Sequence, residues 1–121
     1  MALKTHKDLN VWQESVKLVK NIYALTSKFP KDEVYSLTAQ IKRSVISIPS
    51  NIAEGAARDS NKEYIHFLYI SLGSLAELDT QLIIAKDLKF IDEKDFEEVI
   101  EKLDNIGKML SGLISYRQTK T

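Results

Sequence analysis

Few side chains in this sequence have the types and spacing that chemistry requires. Glu63 and His66 stand three residues apart. On a helix that spacing puts both on one face, and di-iron helical bundles use two such Glu-x-x-His pairs with two further glutamates. The only other histidine is His6, in a polar N-terminal stretch. One pair is too little for a metal site, so His66 reads as a surface or boundary residue. The chain has no cysteine, which removes thiolate zinc sites, iron–sulfur clusters, disulfides and cysteine nucleophiles together. Serines are plentiful, but no histidine is spaced to activate one, and there is no Gly-x-Ser-x-Gly elbow. Gly55 and Gly73 are isolated, so no glycine-rich loop is present to cradle phosphate. The carboxylate pairs Glu97–Glu98 and Glu93–Asp95 fall on the solvated side of a helical segment. These absences predict no catalytic residue, no cofactor, no metal and no small-molecule substrate.

Two charged features remain. Asp79 falls inside the apolar face of its segment, and a buried carboxylate needs a partner. Lys42 or Arg43 is the expected one, within a subunit or across an interface. Lys42, Arg43, Arg58 and Lys62 together form a basic cluster around the connection between the second and third segments. That cluster is the candidate contact for RNA or for another protein. Only Tyr64 is near enough to add base stacking.

The elements that must position these groups are helical. The chain has 121 residues, with 44% apolar and 28% charged side chains, the balance of one globular domain. It has only two prolines and four glycines, and its apolar residues recur at helical spacing. Four helices are expected, at about residues 8–28, 32–57, 61–88 and 92–116, within a single domain over 1–121. Asp8 is the expected N-cap of the first, and Pro30 stops it. Asp32 and Glu33 suit the start of the second. Ser60-Asn61-Lys62-Glu63 is a capping box for the third. Asp92, with Asp95 three residues on, opens the fourth. Short connectors predict an antiparallel up-down-up-down four-helix bundle. Pro49 lies within the second segment and predicts a kink or a break there, since it removes a donor and clashes with the carbonyl of Val45. No run of about 18 apolar residues is evident, so no membrane span is expected. The polar stretch Met1 to Asn10 lacks a signal-peptide core, and a cytoplasmic protein is the default.

Charge and apolar pattern point to assembly. Lys+Arg and Asp+Glu both number 17, so no uniformly basic surface is available for nucleic acid. Residues 1–60 are nonetheless basic and residues 61–121 acidic. The fourth helix has one apolar seam, Phe96, Val99, Leu103, Ile106, Leu110 and Leu113. The first has two: Leu9, Trp12, Val16, Val19 and Tyr23, then Val11, Leu18, Ile22, Leu25 and Phe29. The third is wide as well, with Tyr69, Ile70, Ile83 and Ile84 beyond its main face. A second seam left in water exceeds what monomers usually expose. Val11, Leu18, Ile22 and Leu25 are the expected oligomer seam, and Leu18→Glu or Ile22→Glu is expected to harm assembly more than folding.

Several stretches carry a more specific signal: Asp8-Leu-Asn-Val-Trp-Gln13, Leu37-Thr-Ala-Gln-Ile-Lys-Arg43, Ser47-Ile-Pro-Ser-Asn-Ile-Ala-Glu-Gly55, Arg58, and Gly73-Ser-Leu-Ala-Glu-Leu-Asp-Thr-Gln-Leu82. Together they resemble the 23S rRNA-intervening-sequence protein family, over roughly residues 8–116. The resemblance implies a left-handed antiparallel four-helix bundle assembled as a homopentamer. Some members are labelled ribosomal proteins because of where their genes lie. The accessory variability determinant of diversity-generating retroelements is similar in fold, and it is a basic pentamer that binds nucleic acid and a reverse transcriptase, whereas this chain is neutral. The resulting expectation is a non-enzymatic, oligomeric scaffold or adaptor. The alternative is an RNA-binding or ribosome-associated protein that uses the basic cluster.

Overall fold

The computed structural model describes residues 5–120. Met1 to Lys4, part of the polar start, and Thr121 lie outside these residues. Among the described residues the regular structure is helical, with no strand: α1 (Asn10–Thr26), α2 (Leu37–Ala56), α3 (Asn61–Asp87) and α4 (Glu93–Gln118). Each helix lies beside its chain neighbours, and α1 closes on α4. The α2–α3 pair is the most extensive of these contacts and the α1–α4 pair the least.

Capping chemistry sets the clearest boundaries. Ser60 Oγ accepts from the Glu63 backbone N–H at 3.1 Å, and Asp92 Oδ1 accepts from Asp95 N–H at 2.8 Å. These bonds start α3 and α4 where the sequence places them. Asp8 does not cap α1. Its carboxylate accepts from the Thr5 N–H at 3.0 Å and closes a short 3-10 turn over His6–Asp8. α1 then starts one residue later than the cap would require, with Leu9 in the N-cap position. The acids Asp32 and Glu33 likewise sit in a 3-10 turn, Lys31–Glu33, directly behind Pro30. α2 therefore begins at Leu37 rather than 32, and the α1–α2 connection is longer than expected. At the end of α3, Lys89 adopts φ 65°. Its N–H bonds to the Lys86 carbonyl and that of Phe90 to the Ala85 carbonyl, both at 2.9 Å. This is a Schellman closure with lysine where glycine is usual.

Pro49 does not break α2, which runs through it to Ala56. Polar side chains crowd around the proline instead. Asn51 Nδ2 donates to the Ser47 carbonyl at 2.9 Å and to Ser47 Oγ at 2.8 Å. Ser71 Oγ, from α3, donates to the Ile48 carbonyl at 2.9 Å. Ser47 and Ser74 share a hydroxyl hydrogen bond of 2.8 Å. The proline thus lies where the two helices are cross-bonded.

The core corrects the oligomer seam. Val11, Leu18 and Ile22 are 5%, 1% and 0% exposed within a single chain, and Leu25 is half-buried. The other seam is half-buried too, at Leu9, Trp12, Val16 and Val19. α1 has α2 on one flank and α4 on the other, so its wide apolar arc is absorbed within one bundle. Ile22→Glu places a charge at the centre of the core, which costs several kcal/mol. The expected outcome is loss of the folded protein altogether, read by circular dichroism, and not a folded monomer.

Gly55 marks the closest approach of α2 and α3. A Cβ there would stand 2.8 Å from Phe67 Cβ and 3.1 Å from the Tyr64 carbonyl. Replacing glycine by alanine inside a helix normally gains about 1 kcal/mol. Here the clash reverses the sign, and Gly55→Ala is expected to lose about 1–3 kcal/mol through overpacking, measured by urea denaturation.

Candidate functional site

α2 and α3 meet through hydroxyls as well as hydrocarbon. Ser71 Oγ reaches the Ile48 carbonyl and Ser74 shares a hydrogen bond with Ser47, and Ser44 is buried beside them. The spacing of Gln40, Ser44 and Ser47 on α2, and of Ser74, Glu77 and Gln81 on α3, puts each set on one helical face. The two faces enclose a cleft of about 310 Å³ lined by Gln40, Arg43, Ser44, Ser47, Ser74, Glu77 and Gln81. Every lining residue is polar. Arg43 and Glu77 are exposed on opposite sides of this cleft, and no ion pair or hydrogen bond joins either of them to the described residues. Gln81 Oε1 is a buried oxygen without a protein partner, and so is Thr38 Oγ1, which lies outside the cleft on α2. Sequence reasoning did not find this site. Its signal, polar residues one helical turn apart on two consecutive segments, is visible only once the helices are in register.

Beside the cleft, α3 turns an apolar face to solvent. Tyr69, Ile70, Ile83 and Ile84 are 51%, 38%, 42% and 44% exposed. Gly73 and Ala76, between them, are exposed as well, and nothing lies within 4 Å of a Cβ built on Gly73. By length and composition alone α3 is apolar enough to cross a membrane, and 33% of its most apolar window is buried. Glu77 and Asp79 fall within this helix.

The predicted basic cluster separates into two pairs. Lys42 and Arg58 are about 24 Å apart at the 1.5 Å rise of a helix. The Lys42 ammonium sits over the Tyr23 ring, 4.7 Å from its centre. Arg58 pairs with Glu54 at 2.8 Å and lies over Phe67 at 4.8 Å. Lys62 is exposed in the first turn of α3. Lysines gather elsewhere, around a groove of about 860 Å³ between α1 and α4, where Lys17, Lys20, Lys102 and Lys108 share the walls with Asn10, Asn21 and Asn105. They come from the two ends of the sequence, so no local run revealed them.

Asp79 is half-buried and makes no ion pair with Lys42 or Arg43. It lines a groove toward α4 together with Asp104, Gly107 and Lys108. It stands about 20° around the helix from Leu72, which is itself a flank residue and not a core one. Glu63 is engaged in the α3 cap, and the exposed His66 ring packs edge-on against Phe67 at 5.6 Å. Among the described residues no group of three or more His, Cys, Asp or Glu side chains is placed to hold a metal.

At the far end of the bundle Arg117 Nε donates to Asn61 Oδ1 at 2.7 Å, and Asn61 Nδ2 donates to the Arg117 carbonyl at 2.6 Å. The Arg117 guanidinium also covers the Tyr64 ring at 4.7 Å. Burial raises the Tyr64 phenol above its ordinary pKa, and the Arg117 charge works against that rise. These contacts tie the start of α3 to the end of α4.

Residues 7–112 match the model of the 23S rRNA-intervening sequence protein family. This chain belongs to that family. The matched stretch includes α1, α2, α3 and both walls of the polar cleft. The fold is similar to a crystal structure of a protein with unknown function from the S23 ribosomal protein family of Bacteroides thetaiotaomicron VPI-5482. The TM-score is 0.81 at 24% identity, covering 87% of this chain and 95% of the other. At that identity the likeness shows the fold. No curated protein matches the chain.

The buried hydroxyl of Thr38 offers a direct test of what an orphaned polar group costs this fold. An unpartnered buried donor or acceptor costs about 1–3 kcal/mol. Thr38→Val keeps the shape and removes that group, so a stability gain of about 1 kcal/mol is expected, read from the shift of the denaturation midpoint.

Proposed function

We propose that this protein acts without catalysis, as an oligomeric scaffold or adaptor. In this reading the antiparallel up-down-up-down bundle is the building block of a homopentamer. Apolar surface joins the copies, and charged faces remain free to meet a partner. The supporting observation is the outer face of α3. A helix that is apolar nearly all round is ordinarily buried, yet α3 leaves Tyr69, Ile70, Ile83 and Ile84 in water in the single chain. Gly73 adds to this. Glycine weakens a helix interior by about 1 kcal/mol, and nothing within the chain fills the space its missing Cβ leaves. A close neighbouring surface accounts for both. The number of copies comes from the family resemblance, and closed symmetric rings are common among soluble oligomers.

A second reading is RNA contact. It draws on the α1–α4 groove, where four lysines face one another across two helices, in place of the cluster expected around the α2–α3 connection. Such binding would weaken steeply with added salt.

Light scattering over a dilution series tests the first reading. The expected result is one discrete mass, a multiple of 13.8 kDa, that does not drift with concentration. A stable monomer overturns it. Ile84→Glu is expected to yield a folded, helical monomer, because Ile84 is 44% exposed in the single chain. Titration with a structured RNA at low ionic strength decides the second reading, and absence of binding there removes it.

A further inference from the structure

The polar cleft lies beside the apolar face of α3, so the surface that covers one must reach the other. Ser74 and Glu77 line the cleft, and Gly73 and Ala76, their chain neighbours, belong to the exposed face. In water an unpaired arginine and an unpaired glutamate cost little. Covered by another surface they become costly unless each finds an opposite charge. The cleft holds one of each sign, Arg43 on α2 and Glu77 on α3, and each is unpaired within its own chain. Such a patch is self-complementary: two copies supply what one copy lacks. A guanidinium presents its N–H donors in a planar fork that matches a carboxylate.

We infer that the cleft is a contact between copies of this chain, in which Arg43 of one copy donates to Glu77 of the next. The inference rests on the self-association reading and adds to it the pair that sets register. Apolar side chains on α3 favour association without fixing its angle, whereas a bidentate arginine–carboxylate pair is directional. The Ser47–Ser74 hydroxyl pair and Asn51 hold the bottom of the cleft closed, leaving Arg43 and Glu77 for the neighbour.

Charge reversal tests this, with the wild type as reference. Arg43→Glu and Glu77→Arg are made separately and together, and mass is followed against concentration. Each single variant is expected to stay helical and to need at least about tenfold more protein to assemble, the scale of an interfacial charge pair turned repulsive. Mixing the two single variants is expected to restore association between unlike chains, because the glutamate introduced at position 43 of one then meets the arginine introduced at position 77 of the other; a ring of five keeps one like-charged contact, so the mixture is not expected to close as the wild type does. The double variant is expected to assemble alone. If the single variants assemble like wild type, the inference fails while the self-association reading stands. If the double variant recovers and the two single variants show no association with each other on mixing, the pair lies within one chain and the inference fails again. A monomeric wild type overturns the self-association reading itself.

Discussion

The approach of α2 to α3 is limited by a single hydrogen atom. At Gly55 even a methyl group would strike Phe67 and the Tyr64 backbone, and that closeness governs what the rest of the bundle can do. Helices so near cannot separate their faces with large side chains. Serines fill the seam, and the hydroxyls of Ser47, Ser71 and Ser74 are hydrogen-bonded across it. Pro49 becomes tolerable in this setting. It forfeits one intrahelical bond, at the place where Asn51 and Ser71 donate to neighbouring carbonyls. Close packing on one side of α3 also leaves its other side without cover. α4 protects one flank, and the outermost arc keeps its tyrosine and isoleucines in solvent.

The chemistry of this molecule is therefore a chemistry of surfaces. Its titratable groups are dispersed, and most are exposed. The four ion pairs among the described residues each include at least one largely exposed side chain, which makes them weak contributors to stability. The features that no local structural need explains lie next to one another: an apolar helix face, a glycine without a close neighbour, a cleft with unpaired opposite charges and an orphan amide oxygen. Each is unremarkable alone. Their adjacency favours a reading in which the bundle is a component of something larger.

Much of the fold was legible in the sequence because it depends on local chemistry. Ser60 and Asp92 cap α3 and α4 as their spacing indicates, and the single seam of α4 packs as a single seam. The misplacements share a cause. Asp32 and Glu33 carry the charge of a helix start, but Pro30 directs the chain into a 3-10 turn first. The two seams of α1 suggested surplus surface, yet the width of an apolar arc does not tell how many neighbours flank it, and α1 has two. Lys42, Arg43, Arg58 and Lys62 belong to one stretch of sequence, but an intervening helix separates them. The cleft was missed for the converse reason. Gln40, Arg43 and Ser47 are distant in sequence from Ser74, Glu77 and Gln81, and only the pairing of helices joins them.

The α2–α3 seam also determines how the molecule comes apart. α1 and α4 touch each other least, whereas α2 and α3 are joined by a short turn, a close backbone approach and hydroxyl cross-links. Thermal opening takes the least costly route, which is to part the outer helices and leave the central hairpin closed. The backbone amides around Pro49 and Ser71 are then the last to exchange with deuterium, and they mark the most persistent part of the chain.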